Sequence, residues 1–448
     1  MKNTFLTFTV LLVCFFAYSQ NAKVTTDSNS KFVNKVLPAK TSYLNLIDDI
    51  NCKIKGKLNS GKSTYLKLVT DRDNPFMSGI KIPIVNGYFE YDLHTPFAEK
   101  YTLILGEELE KGAFRPISFF VENGEVDFKL HETKDFDKNS IVGGLLTDKM
   151  LAFKKEKDKV FKPIEKIFSE EIDSLWDSGN YFSEEYNRIT EKIKTKGNDK
   201  DEELNKWYKS RDELMENGKA YTSRALFLNN KMDSIQKIKY DWEAKYIAKK
   251  KNIVSYSLLL DEVRWYKQFK KNMDFNEVRN LTSIYAKMYP LHPYTKQISD
   301  IMEGITTVKV GGMFVDFSAP TIEGTIVTAS DIVAGKVALI DLWASWCGPC
   351  RVTSKSYIPI YEKYKDKGFV ILGVANEFKN TNAFEKAIEK DRYPWLNLIE
   401  MDNKNRIWDK YNISNSGGST FLVNSKGVIV AVNPSAQELD KLLEGLLN

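Results

Sequence analysis

The sequence predicts a multidomain protein: an N-terminal β-sandwich, a central α-helical region and a C-terminal α/β domain. Three observations carry this reading. Short alternating apolar runs separated by turn residues fill positions 50–143. From 144 to 306 the pattern changes to a highly charged helical period. Further on, an apolar strand, VALIDLW, runs into a tight turn and a helix-compatible stretch. The 448 residues suffice for about three domains, and 42% hydrophobic with 12% aromatic residues supplies real cores.

The elements follow in chain order. Lys2 provides a positive start, Phe5 to Phe16 an apolar core, and Ala17-Tyr18-Ser19 a small-x-small cleavage site before Gln20. Residues 1–19 therefore read as a secretory signal peptide, too short in its apolar run to span a membrane comfortably. Cys14 offers a rival, a lipoprotein cysteine, but Val13 before it is larger than lipoprotein processing prefers. Cleavage after Ser19 is the favoured reading, and the mature chain is expected in the periplasm or cell envelope. Residues 20–49 are polar without a clear period and read as a linker.

Within 50–143, the best strands are Tyr65 to Val69, Gly87 to Leu93, Tyr101 to Leu105, Ile117 to Val121 and Val126 to Leu130. Asn86-Gly87 and Asn123-Gly124 are turn dipeptides. Their spacing predicts a β-sandwich. Residues 56–63, GKLNSGKS, match the phosphate-loop pattern G-x-x-x-x-G-K-[ST]. Such a loop must open a helix, so that the first-turn amides hold the phosphates. The residues that follow, TYLKLVT, are β-branched and aromatic and read as a strand, which makes Asn59-Ser60-Gly61 a hairpin turn and the match accidental. No nucleotide is expected. The formal net charge of +5 is spread along the chain and gives no case for nucleic acid. His94, His131 and His292 lack metal-ligand spacing, and neither a metal nor a cofactor is expected.

The helical region, 144–306, begins with Leu151, Phe153, Val160, Phe161, Ile164 and Ile167 at a rough helical period, with Pro163 as a kink or a restart. Trp207, Leu214, Trp242, Tyr246, Leu258, Trp265 and Tyr285 are read chiefly as core; the rival is a surface that presents substrate.

Of 4 Cys, Cys14 falls in the leader and Cys52 reads as a small buried hydrophobe, which leaves Cys347 and Cys350. Three mature thiols do not make a disulfide-stapled scaffold. VALIDLWASWCGPCR, residues 337–351, is the strand–turn–helix context that a redox C-x-x-C requires. Cys347 falls at a helix N-terminus, where amides and the helix dipole stabilise a thiolate. Cys350 lies one turn later, within reach of a disulfide.

These residues carry a family resemblance. WCGPC, with Asp341 upstream and Trp343 between, resembles thioredoxin, and residues 307–448 resemble the TlpA/ResA-like exported thioredoxins through VGGMFVDFSAP, GFVILGVANE and TFLVNSKGVIVAV. The resemblance implies a thioredoxin-like fold for this third of the chain. It implies Cys347 as the attacking cysteine, Cys350 as the resolving one and Asp341 as a buried acid serving the second thiol. Glu377, in GVANE, matches an active-site glutamate. Trp346, Gly348, Pro349, Gly418 and Ser419 match the substrate-contacting surface. One departure stands out: Gly418 occupies the position where thioredoxins carry a cis-proline, so this peptide is expected to be trans. The β-sandwich and helices are similar, more weakly, to a domain of uncharacterised function that precedes such thioredoxins in Gram-negative bacteria.

The expected function is an exported thiol–disulfide oxidoreductase that mainly reduces disulfide-containing exported proteins and draws on a membrane electron donor. Gly348-Pro349 between the cysteines resembles reducing thioredoxins rather than strong oxidants; an oxidase or isomerase is the nearest alternative. Ala344, where peroxiredoxins place Thr or Ser, disfavours a peroxidase. A non-enzymatic envelope binding protein, using the β-sandwich, is the reading from another class.

Overall fold

A computed structural model describes residues 49–59, 61–196, 202–269, 274–413 and 417–447. The expected leader at 1–19, and with it Cys14, lies outside the described residues, as does the linker up to residue 48.

Period-two alternation builds the N-terminal sheets. The strands are β1 (Ile50–Leu58), β2 (Tyr65–Thr70), β3 (Ile80–Pro83), β4 (Tyr88–Thr95), β5 (Glu99–Leu105), β6 (Ile117–Val121), β7 (Gly124–Leu130) and β8 (Ser140–Val142), with a short helix, α1 (Gly106–Glu110), after β5. They form two four-stranded sheets, in the orders β4-β1-β7-β8 and β3-β2-β5-β6. Alternate side chains of both sheets, among them Ile54, Phe89 and Phe128 from one and Leu66, Leu103 and Phe119 from the other, share one apolar cluster. Cys52 is a free thiol buried in that cluster.

The hairpin expected at Asn59-Ser60-Gly61 is not formed. β1 pairs with β4 on one edge and with β7 on the other, so neither edge is open to β2. The chain crosses to the second sheet instead, where β2 lies between β3 and β5. The loop amides that a phosphate would need are already engaged: Lys62 N and Ser63 N both donate to the Glu132 carboxylate, the latter at 2.9 Å. β3, only four residues long, was not legible in the sequence, because so short a run shows little alternation.

The described helices of the central region belong to two compact units. Residues 153–245 form the first. It contains most of α2 (Leu145–Asp177), α3 (Glu184–Lys196), α4 (Glu202–Glu216) and most of α5 (Ser223–Lys249). Ile172, Tyr181, Ala225 and Leu228 make one of its cores, with Trp176 stacked on Tyr181 at 4.7 Å between ring centroids. Pro163 lies inside α2, so the helix does not restart there.

The second unit joins the two N-terminal sheets to everything after residue 245. Here α6 (Ile253–Phe269), α7 (Phe275–Met288) and α8 (Pro293–Thr307) precede the C-terminal domain. Val254, Leu259, Tyr285 and Ile298 are core residues, whereas Trp265 is half-exposed. Among the described residues no helix is long and apolar enough to cross a membrane.

A chain of buried and part-buried charges ties these parts together. Lys100 of β5 donates to both Asp261 oxygens, at 2.5 and 2.8 Å, and Arg264 Nη2 donates to Asp71 O at 2.7 Å. Lys267 Nζ reaches Asp409 at 2.8 Å, and Arg406 is held by Asp300 and Asp409 at 2.6 Å each. Removing one member of a buried pair leaves its partner's charge uncompensated. Arg406 keeps Asp409 when Asp300 is lost, so Asp300→Ala is expected to lower stability by about 1.5–3 kcal/mol, read from the denaturant midpoint at constant slope.

The C-terminal domain has a thioredoxin-like α/β fold. After β9 (Ser318–Pro320), β10 (Ile326–Thr328) and α9 (Ala329–Val333) come β11 (Val337–Trp343), α10 (Gly348–Ser356), α11 (Ile358–Tyr364), β12 (Phe369–Glu377), α12 (Asn382–Asp391), β13 (Leu396–Met401), α13 (Ile407–Lys410), β14 (Ser419–Val423), β15 (Ile429–Val432) and α14 (Ala436–Leu446). The sheet runs β13-β12-β11-β14-β15, with β11, β12 and β13 parallel and the last two antiparallel. Every residue of β11 is buried because both faces are covered, which is why VALIDLW reads as an unbroken apolar run around one Asp. Leu342 and Val374 face one core, and Leu339, Trp343 and Ala375 the other.

Candidate active site

β11 ends at Trp343, and the chain turns through Ala344–Trp346 into α10. Cys347 is the N-cap of that helix. Its Sγ accepts the Cys350 backbone N–H at 3.3 Å, and Pro349 occupies the first turn, where its missing N–H costs nothing. Cys347 and Cys350 are joined in a disulfide, with Cα atoms 5.3 Å apart. Both are part-buried, while Gly348 and Pro349 are exposed. A sulfur in this place lies at the positive end of the helix, which favours its thiolate when the pair is reduced.

Asp341 sits on the same face of β11 as Leu339 and Trp343. It is 2% exposed, and its Oδ2 has no hydrogen-bond partner. Burial pushes its carboxyl up to about 7, against a smaller downward pull from Ser354. Ser354, on the next turn of α10, donates to the Cys350 carbonyl at 3.1 Å. The Ser354 hydroxyl thus lies between the Asp341 carboxyl and the turn of α10 that carries Cys350.

Glu377, the last residue of β12, is also buried. It accepts from Ser345 N at 2.8 Å and from Ser345 Oγ at 2.7 Å, and burial raises its carboxyl pKa. Glu377 thereby clasps the turn that carries Cys347. Deleting that acceptor would strand the buried Ser345 N–H, so Glu377→Ala is expected to cost about 1–3 kcal/mol in a denaturation series. Trp346 lies over the strand ends. Its Nε1 donates to Asn376 O at 3.1 Å while 36% of the residue stays exposed.

Ser419 pairs with Leu342 across β14 and β11, and its hydroxyl donates to Asn433 Oδ1 at 2.8 Å. Gly418 lies against the β11 main chain: a Cβ there would stand 2.0 Å from Leu342 O. No cis peptide bond occurs among the described residues.

Two residues, Arg351 and Asp391, escaped the sequence reading. Arg351, next to Cys350, reaches the buried Asp391 at 2.5 Å and Ser345 O at 3.3 Å. Asp391 is also held by Tyr393 OH at 3.0 Å. Adjacency to WCGPC was the one available sign for Arg351; Asp391 carries none.

The sequence profile of the AhpC/TSA family matches residues 310–432. The thiol:disulfide interchange protein DsbE of Pseudomonas fluorescens is 31% identical over 121 residues, which is 27% of this chain and 64% of that protein. The thiol-disulfide oxidoreductase ResA of Oceanobacillus iheyensis is 26% identical over 34% of this chain and 78% of its own length. The thioredoxin-like protein YneN of Bacillus subtilis is 32% identical over 27% of this chain and 69% of its own length. Among solved structures, the thioredoxin domain of a thiol-disulfide oxidoreductase from Bacteroides vulgatus is 27% identical, with a TM-score of 0.29, covering 32% of this chain and all of that domain.

Proposed function

We propose, on the premise that this chain belongs to the thioredoxin-like thiol–disulfide oxidoreductases, that it is an exported reductase of disulfides in other envelope proteins. One observation carries the reading: Cys347 caps α10 with its sulfur facing the Cys350 amide, and a buried acid lies on the strand that leads into the turn.

The proposed cycle starts from the dithiol. The Cys347 thiolate attacks one sulfur of the substrate disulfide, forms a mixed disulfide and releases the other sulfur as a thiolate, which takes a proton from water. Cys350 then gives its proton to the Asp341 carboxylate and attacks Cys347 Sγ. The second substrate sulfur leaves, and the Cys347–Cys350 disulfide is formed. The substrate gains two electrons that the cysteine pair loses. An electron donor, proposed to reside in the membrane, restores the dithiol. Trp346, Gly348, Pro349, Gly418 and Ser419 are proposed to line the approach of the substrate chain, and Glu377 to hold the attacking turn through Ser345. Residues 50–143 are read as a β-sandwich, supported by their shared apolar cluster.

The test is the equilibrium reduction potential of the pair, titrated in a defined thiol buffer, with Cys347→Ser as the control lacking the couple. A value near about −270 mV supports reduction; one near about −120 mV overturns it in favour of disulfide formation. Cys347→Ser is expected to abolish turnover of a protein disulfide while retaining the fold by circular dichroism.

A further inference from the structure

The outer face of the β3-β2-β5-β6 sheet holds a charge without a partner. Lys67, in the middle of β2, is 9% exposed along its length, but its ammonium reaches solvent, and among the described residues no hydrogen bond or ion pair engages it. Burial lowers its pKa first, and Lys379 lowers it further. Lys379 belongs to the C-terminal domain, two residues beyond Glu377, and its charge is felt at Lys67. Lys81, opposite Lys67 in β3, adds a third cation, with its ammonium 3.9 Å from the Tyr65 ring centre.

Carboxylates in the neighbourhood are turned elsewhere. Asp73, which pulls the Lys67 pKa up, accepts from Thr70 N and Oγ1 at 2.7 and 2.8 Å and from Ser78 at 3.0 Å. Asp402 accepts the Lys379 backbone N–H at 3.1 Å. The β2–β3 loop lies against the redox domain, because Asn403 Nδ2 donates to Arg72 O at 3.1 Å. That contact sits just past β13, beside the carboxyl ends of the parallel strands, where the Trp346 and Glu377 contacts also lie. Phe76, in the same loop, is 51% exposed and packs its ring on Phe114.

We propose that Lys67, Lys81 and Lys379 form a docking face for an acidic segment of the disulfide-bearing partner polypeptide. This rests on the reductase reading for its location and on charge complementarity for its occupant. Like charges gathered on one face attract an anion and are relieved by it. A polypeptide carboxylate approaching the cysteine pair supplies one, and the apolar Phe76 rim suits a chain rather than a free ion. The N-terminal sheets would then select substrate for the C-terminal chemistry.

The experiment uses the full mature chain and two disulfide-bonded peptides of equal length, one flanked by glutamates and one by serines. The acidic peptide is expected to be reduced with a kcat/KM about tenfold higher at low salt, with the preference shrinking as salt rises. In Lys67→Met/Lys379→Asn the ratio is expected to fall to about one. Unchanged melting of the variant shows that the fold is kept. In parallel, anisotropy of a labelled glutamate-rich peptide without cysteine reads docking independently of exchange. Binding by the wild-type chain that the double variant loses supports the face even if neither disulfide is reduced, an outcome that would sink the reductase reading alone. Equal turnover of both peptides with no anisotropy change overturns the docking face and leaves the reductase standing. Displacement of the labelled peptide by millimolar inorganic phosphate at constant ionic strength overturns the polypeptide assignment.

Discussion

Asp341→Asn is expected to slow resolution of the mixed disulfide by about 10²-fold and to remove a pH dependence centred near 7. In the proposed cycle the carboxylate form accepts the Cys350 proton, so the wild-type resolution rate should rise as pH passes through the Asp341 pKa. An amide cannot take that proton, and the inflection should vanish. Stopped-flow measurement of product release from a preformed mixed disulfide reads this step alone. A variant that keeps both the rate and the inflection would remove Asp341 from the mechanism.

The same substitution has an opposite effect on stability. The folded-state pKa is raised from 3.8 to about 7, so the folded protein holds this proton where the unfolded chain has released it. Stability is therefore unaffected below about pH 4, falls as pH rises from there to about 7, and stays reduced above. The shift corresponds to roughly 4 kcal/mol at most. Asp341→Asn should then be more stable than wild type at pH 8 and no more stable at pH 3, in equilibrium denaturation of the oxidised form. The buried carboxylate is a stability cost, consistent with a group retained for chemistry.

Restoring the proline expected at position 418 should harm the protein. The Gly418 Cα is packed so closely on β11 that an added Cβ would meet Leu342 O at 2.0 Å and the Leu342 carbonyl carbon at 3.0 Å. These are main-chain atoms of a central strand, and no rotamer change moves them. Gly418→Ala is expected to destabilise by about 2–3 kcal/mol, and Gly418→Pro by at least as much. A thermal melt would show each as a drop of several degrees. A neutral Gly418→Pro melt would refute the packing argument. Separation of β14 from β11 would also disturb Ser419, so turnover should fall with stability in both variants.

The two kinds of information separate along sequence distance. Strand, turn, helix and cysteine pair were legible because they occupy one short segment, where apolar run, turn residues and thiol spacing all report on neighbours in sequence. Asp341 was visible as the one charge in VALIDLW. Gly418 was visible as an unexpected residue, although the contact with Leu342 O that demands a glycine was not. The short strand β3 and the crossover after β1 were missed, because strand pairing depends on which edges remain free.

By itself, the sequence determined the thioredoxin-like C-terminal domain and its C-x-x-C at the start of a helix, since local periodicity and chain connectivity decide both. Only the tertiary structure decided what surrounds that pair. Glu377 meets Ser345 across 32 residues, Arg406 meets Asp300 across 106, and Lys100 meets Asp261 across 161. Lys67 looks like any strand lysine until the fold covers its stem and brings the charge of Lys379 to bear on it. Desolvation and charge pairing depend on distance in space, and a linear pattern of residue types does not encode that distance.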